Sequence, residues 1–138
     1  MNNIEDGIQE NKEKINLIGM IYTETISNDS INIITNTSNY ATVCTLELPA
    51  GVYIVTGHIR WSEISIGRVS ISVGTGQRPG SEIDGNNAQH VTTSSLLNLA
   101  QQTMAIIELN NTANIYLVGY ADHDSTISDG VLKAVKIK

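Results

Sequence analysis

The sequence of 138 residues contains no phenylalanine, 1 cysteine and 2 prolines, and only 4% of its residues are aromatic. The single cysteine, Cys44, excludes an intramolecular disulfide framework and any metal site built from several cysteines. Basic residues are few, since 8 Lys and Arg stand against 14 Asp and Glu, for a net charge of −6. Because a phosphate backbone requires a basic protein face, this charge argues against a nucleic-acid partner.

Long apolar runs are also missing, so no stretch is long enough for a membrane-crossing helix. The first residues lack the basic start and apolar core of a signal peptide. The hydrophobic content of 41% is nevertheless that of a globular chain. We therefore expect a folded domain with a real core and no membrane insertion.

The plentiful residues are Ile, Thr, Ser, Val and Asn, which suit short strands separated by polar turns. Candidate strands cover residues 20–26, 30–35, 42–48, 52–61, 68–73, 90–99, 103–109, 114–121 and 131–138. About nine or ten short strands of this kind predict an all-β sandwich or barrel. The strongest alternation runs through residues 52–61 and places Trp61 on the core side, with an exposed sugar-stacking role for this ring as the alternative.

The first 19 residues carry the one helical pattern, a heptad seam of Ile4, Ile8, Asn11, Ile15 and Ile18. Isoleucine at both core positions favours three or four strands over two, and a polar Asn11 in one layer fixes register. We predict the end of a coiled-coil stalk over residues 1–19 and a β head over residues 20–138. An amphipathic helix packed on its own domain is the alternative, and a seam already in phase at Ile4 suggests a longer stalk.

Residues 74–87 form the longest stretch without periodicity, and a loop of this length is typically functional or mobile. A second polar loop is predicted over residues 122–129. Asn, Asp and Arg side chains supply the directional hydrogen bonds that sugar hydroxyls need. The candidate ligand-binding residues are Arg78, Glu82, Asp84, Asn86 and Asn87 in the first loop and Asp122, His123 and Asp124 in the second.

The strand over residues 114–121 is apolar or aromatic on both faces, although a sandwich strand needs only one buried face. Its surplus face consists of Tyr116, Val118 and Tyr120. A subunit interface would cover this face, and a covering loop of the same chain is the alternative.

Catalytic patterns are missing from the sequence. It contains no Gly-x-Ser-x-Gly nucleophile motif, its three histidines are scattered, and its candidate carboxylate pairs fall in loops. The Asp122-His123-Asp124 segment offers oxygen ligands for a hard cation but lacks the spacing of a calcium loop. We expect a protein that is not an enzyme and that carries no metal or cofactor.

Three short motifs resemble the complement-q/TNF-like jelly rolls. Residues 48–53 resemble the "apolar-Pro-x-Gly-x-Tyr" entry to a central strand of that family. Residues 95–109 resemble its "Leu-x-Leu, short turn, apolar strand" segment. Residues 125–132 resemble its closing "Ser-x-apolar-x-Gly-x-Leu" motif. The same order, with an Ala-Val-Lys-Ile ending, also resembles tip domains of phage tail fibres and baseplates. The absence of phenylalanine departs from the animal members of the family.

The resemblance implies a ten-stranded jelly-roll protomer, a homotrimer and no catalytic residues. The expected function is a virion tail tip outside the cell that binds a host polysaccharide or teichoic acid and joins the rest of the fibre or baseplate. The alternative is a structural trimerisation or decoration head of a phage, or of a bacterial cell or spore surface, without a ligand of its own.

Overall fold

The computed structural model describes residues 18–26, 31–34, 39–74 and 82–138, with the backbone alone for residues 63–66 and 82–99. These ranges contain seven strands and no helix, and therefore no helix that could cross a membrane. The strands are β1 (Ile21–Ile26), β2 (Ile31–Ile33), β3 (Tyr40–Leu48), β4 (Gly51–Val73), β5 (Glu82–Leu109), β6 (Ala113–Ala121) and β7 (Ser125–Lys136). The expected all-β fold is confirmed for this part of the chain.

All seven strands join one antiparallel network in the order β1-β7-β4-β6-β3, with β2 on β7 and β5 on β4. The long strand β4 pairs with β7 through residues 53–61 and with β6 through residues 67–73. The network therefore bends between residues 61 and 67 of β4. We call β1, β7 and the first half of β4 the first layer, and β3, β6 and the second half of β4 the second layer. β5 accompanies β4 through both layers.

The two layers pack face to face, and glycines of one layer lie close to side chains of the other. A Cβ atom added to Gly130 of β7 would meet Val43 of β3, and one added to Gly57 of β4 would meet Leu117 of β6. Glycine at these positions allows the close approach of the two layers. The buried core between them includes Tyr53, Val55, Ile59, Trp61, Val69, Ile71, Ile115, Leu117, Ile127 and Leu132.

Trp61 is fully buried. Its indole Nε1 donates a 2.7 Å hydrogen bond to Gln101 Oε1. The core prediction for this ring is confirmed, and the sugar-stacking alternative is wrong.

The motif over residues 48–53, at the entry to β4, is held together by a hydrogen bond. The Tyr53 hydroxyl donates to the Pro49 carbonyl at 2.7 Å.

Strand boundaries differ from the prediction in four main respects. The predicted strands over 52–61 and 68–73 are one continuous strand, and so are those over 90–99 and 103–109. β5 begins at Glu82, so Glu82, Asp84, Asn86 and Asn87 lie on a strand and not in the predicted 74–87 loop. Gly74 ends β4 with a φ of 88°, a left-handed conformation that glycine adopts readily. β7 begins at Ser125, which shortens the predicted loop over 122–129 to residues 122–124.

The alternating sequence of residues 42–48 predicts that Cys44, Leu46 and Leu48 face one side of their strand and Val43 the other, and for Val43 this is wrong. A β-bulge between Thr42 and Cys44 inserts one extra residue into β3. A bulge breaks strict alternation, and both Val43 and Cys44 are buried in the core.

The predicted coiled-coil residues Ile4, Ile8, Asn11 and Ile15 lie outside the described residues. Ile18 is described and is 53% exposed just before β1. Gly19 follows with a φ of 84°. Its backbone N–H donates to the Lys136 carbonyl at 2.6 Å, which ties the start of the described chain to the end of β7.

Candidate functional site

The outward face of the first layer exposes several large apolar side chains. Cross-strand partners share one face of a sheet, so the strand register places its side chains in rows. The first row runs across four strands as Ile21, Val135, Ile54 and Ile106. We call these four residues the apolar row. Ile21 is 58% exposed and Ile106 is 66% exposed.

Two polar rows follow, each one step further along the strands. The second row contains Thr23, Lys133, Thr56 and Met104, and the third contains Thr25, Val131, His58 and Gln102. Met104 is 60% exposed and extends the apolar surface from Ile106. Soluble monomers rarely expose large contiguous apolar patches, and such patches typically mark interaction sites.

A shallow groove of about 470 Å³ opens between the second and third rows. We call it the β4–β7 groove. It is lined by Thr56, Gly57, His58, Gln102, Thr103, Met104, Val131 and Lys133. Its volume is in the usual range of ligand pockets, about 300–1,000 Å³. The described residues that line it include no acidic side chain, although the protein as a whole is acidic.

Arg60 and Asp129 form an ion pair on the same outward face, beyond the groove. The Arg60 Nε lies 3.6 Å from Asp129 Oδ2, and both side chains are partly exposed. The Ser128 hydroxyl donates to the Arg60 carbonyl at 3.3 Å. An exposed pair of this kind contributes little stability, roughly 0–1 kcal/mol.

The predicted interface residues Tyr116, Val118 and Tyr120 lie on the outward face of the second layer. Val118 is only 1% exposed, so the chain itself already covers it. The Tyr120 ring packs against Tyr40 with 4.9 Å between ring centroids. This face therefore offers less free apolar surface than the apolar row of the first layer.

Of the candidate ligand-binding residues, Asp122, His123 and Asp124 lie together in the short connection between β6 and β7. His123 Nδ1 lies 2.8 Å from Asp122 Oδ1. The Ser125 hydroxyl donates to the His123 carbonyl at 3.0 Å. Arg78 lies outside the described residues, and for Glu82, Asp84, Asn86 and Asn87 only the strand position in β5 is described.

Groups of three or more His, Cys, Asp or Glu side chains that could hold a metal ion do not occur among the described residues. Asp129, which the sequence placed near the same loop, is on β7 and pairs with Arg60. Cys44 is buried, and burial together with the Glu24 carboxylate raises the pKa of its thiol from 9.0 to about 11. A neutral buried thiol is a poor nucleophile.

The sequence contained a signal for the apolar row that its interpretation missed. Residues 103–109 alternate between two apolar sets, with Met104 and Ile106 on the side opposite to Ala105 and Ile107. The same double-sided pattern occurs in β6. Only the register of four strands shows which of these surplus faces stays exposed.

No family model matches the sequence, and no curated protein matches it. Among solved structures, murine APRIL is similar, with a TM-score of 0.59 and 9% identity over 86% of this chain and 100% of that one. The globular domain of zebrafish complement 1qA has a TM-score of 0.52 and 11% identity over 86% of this chain and 97% of that one. The VP2 subviral particle of infectious bursal disease virus has a TM-score of 0.54 and 10% identity.

The VP2 match covers 85% of this chain and 33% of VP2, so this chain spans about a third of that protein's length. The three structures are a TNF-like protein, a complement-q head and a viral capsid protein, and all are jelly rolls. At such low identity the likeness defines the fold alone. The chain therefore has a jelly-roll fold similar to the folds of these three structures.

Proposed function

We propose that this chain is a non-enzymatic jelly-roll head that assembles as a homotrimer and is displayed on a virion or cell surface. The observation that carries the proposal is the apolar row with the adjoining Met104, since Ile106, Ile21 and Met104 stay unburied in a single chain. Burying such side chains stabilises an assembly by about 25 cal/mol for each Å² removed from water. The resemblance to complement-q/TNF-like heads favours threefold symmetry.

In this proposal the subunit contact is centred on the apolar row. A ring of three identical chains needs a heterologous contact, in which two different patches meet and the rotation closes. The long outer edge of β5 carries Met104 and Ile106 and pairs with no other described strand. This edge can therefore pack against the outward face of β1 and β7 in the next copy, where Ile21 and Val135 lie.

The rival interface through Tyr116, Val118 and Tyr120 is tested in the same experiment. Cysteine is introduced singly at Ile106, at Tyr116 and, as a control outside both faces, at the exposed turn residue Asn111. The natural Cys44 is buried and gives little background. We expect the thiol of Ile106→Cys to be protected from a labelling reagent at high protein concentration, while Asn111→Cys reacts freely. Protection of Tyr116→Cys alone would favour the rival face.

The display role that we propose is a tail-fibre or baseplate tip that attaches a phage to a host polysaccharide or teichoic acid. The Asp122-His123-Asp124 connection supports it, since three polar side chains lie together at one end of the sandwich. Three copies on one head multiply a modest affinity for a repeating polymer. A structural decoration head without its own ligand is the second candidate, and the apolar row supports it equally.

Attachment separates these two candidates. The fluorescently labelled head is added to candidate host cells and to a glycan array, together with a variant that carries alanine at residues 122, 123 and 124. A matched control carries alanine at Asn110 and Asn111, two exposed residues in the turn between β5 and β6. The attachment role predicts that binding is lost in the first variant only. Absence of binding to every surface would favour the decoration head.

A further inference from the structure

We propose that the β4–β7 groove binds the anionic group of an acidic sugar or a sugar phosphate. This inference deepens the proposed function, because it gives the surface head a class of ligand. It rests on the proposed function only for the role of the chain as a surface head. The site is distinct from the Asp122-His123-Asp124 connection and was not anticipated from the sequence.

Strand register brings a lysine and a histidine, both nitrogen donors, together in the groove. Lys133 lies opposite Thr56, and His58 lies opposite Val131, two residues away along β7. Residues in such a diagonal relation are about 7–8 Å apart, which long side chains span. Lys133 and His58 can therefore reach one oxygen-bearing anion between them.

Lys133 and His58 have no hydrogen bond or ion pair within the described residues. By contrast, the other cation of this face, Arg60, already pairs with Asp129. Because none of the described lining residues carries a carboxylate, a bound anion would meet no repulsion from these side chains.

The remaining lining fits a polyhydroxylated ring that carries the anion. Thr56 and Gln102, which carry a hydroxyl and an amide, line the same space, and these groups both donate and accept hydrogen bonds. Met104 and Val131 supply apolar walls against which the C–H face of a sugar ring can pack. The combination of a few convergent polar groups and an apolar wall is typical of small-ligand sites.

In the assembled head proposed above, the groove lies beside the subunit contact. The apolar row includes Ile54, and the groove begins at Thr56, the next outward residue of the same strand. Met104 borders both, whereas Lys133 and His58 belong to the groove and Ile106 to the contact, so that each can be disturbed separately.

The test titrates glucuronate, glucose 6-phosphate and glucose into the full chain. Binding is monitored by two-dimensional amide NMR and by calorimetry. We expect saturable shifts around residues 56–58, 102–104 and 131–133 with one or both anionic sugars, weakening as salt increases. The tighter of the two identifies carboxylate or phosphate as the preferred group. Equal binding of neutral glucose, no binding of either anion, or shifts confined to residues 122–124 would overturn the proposal.

Variants locate the site. Lys133→Gln and His58→Gln are each expected to weaken binding, the former about tenfold, because it removes a charge-assisted hydrogen bond. Lys138→Gln, at an exposed lysine outside the groove, is expected to bind like the parent. An unchanged affinity of Lys133→Gln with a native spectrum would also overturn the proposal.

The solution mass is recorded for every sample, so that this inference and the assembly can fail independently. Loss of anion binding in a head that stays trimeric counts against the groove alone. Anion binding by a monomeric chain counts against the assembly alone.

Discussion

Trp61 and Gln101 are joined by a buried hydrogen bond of 2.7 Å at the point where the sheet bends from one layer to the other. The other end of the Gln101 amide, Nε2, donates to the Gly67 carbonyl at 3.1 Å. Trp61 is the last residue of β4 that pairs with β7, and Gly67 is the first that pairs with β6. Gln101 therefore links the two sides of the bend through a single side chain.

Replacing Gln101 by a residue of similar size should still lower the free energy of unfolding markedly. In Gln101→Leu, the Trp61 N–H and the Gly67 carbonyl both lose their partners while buried, and each orphaned group costs about 1–3 kcal/mol. We expect the free energy of unfolding in urea to fall by about 2–4 kcal/mol. All variants are compared at one protomer concentration, because assembly makes stability concentration-dependent.

The matched control is Gln102→Leu, at the neighbouring exposed position. Its effect should stay within about 0.5 kcal/mol, as is usual for surface substitutions. If the two variants unfold at the same urea concentration, the hydrogen bonds of Gln101 across the bend contribute nothing to the stability of the fold.

The contact between Gly57 and Leu117 makes a second prediction. Gly57→Ala should destabilise the head by about 1–3 kcal/mol, because the new methyl group meets the Leu117 side chain. Leu117→Ala alone should cost about 2–5 kcal/mol through the cavity it leaves. In the double variant the methyl group enters that cavity, so the combined loss should be smaller than the sum by about 1 kcal/mol or more. Strict additivity in denaturant unfolding would contradict the close packing of the layers here.

Cys44 gives the chain a defined response to alkaline pH. Burial, and then the charge of Glu24, raise the pKa of its thiol from 9.0 to about 11 in the folded chain. The unfolded chain therefore loses this proton first, and the thiol's contribution to stability is complete below pH 9.0 and lost as pH rises toward about 11. Because burial also raises the pKa of Tyr53, only a comparison with Cys44→Ala isolates the cysteine.

We expect the stability of the parent to fall more steeply between pH 8 and pH 11 than that of Cys44→Ala. The native thiol should also resist alkylation at pH 8 and react once the chain is unfolded in urea. Parallel stability curves, or rapid native labelling, would show that the thiol is not held neutral in the core.

The exposed position of Ile106 allows the assembly to be broken without damage to the core. Ile106→Glu places a charge in the apolar row, where burial of an unpaired carboxylate is costly. We expect this variant to keep its fold by circular dichroism and to sediment as a monomer. Asn111→Glu, with the same added charge in an exposed turn, should sediment like the parent. An unchanged mass for Ile106→Glu would place the subunit contact elsewhere.

The alternation around Trp61 was sufficient to predict its burial, because a strand with one core face shows a strict period of two. Other features depend on contacts that a local pattern does not contain. The bulge that buries both Val43 and Cys44 follows from pairing with β6. The continuity of β4 through its bend follows from a change of partner strand. Both are tertiary effects.

The candidate site was predictable only in part, for the same reason. The sequence contains the double-sided apolar pattern of residues 103–109, but Ile21, Ile54, Ile106 and Val135 are far apart in the chain. Only the register across β1, β7, β4 and β5 joins them into one row. Lys133 and His58 likewise carry no motif, and the groove that they line exists only in the folded sheet.

Assembly through the apolar row is the central claim, and the solution mass of the parent chain tests it most directly. Light scattering coupled to size exclusion should give a mass three times that of the 14.9 kDa protomer. Such a mass, reduced to one protomer by Ile106→Glu, is the result that the account predicts. A parent chain that elutes as a clean monomer at every concentration would contradict it.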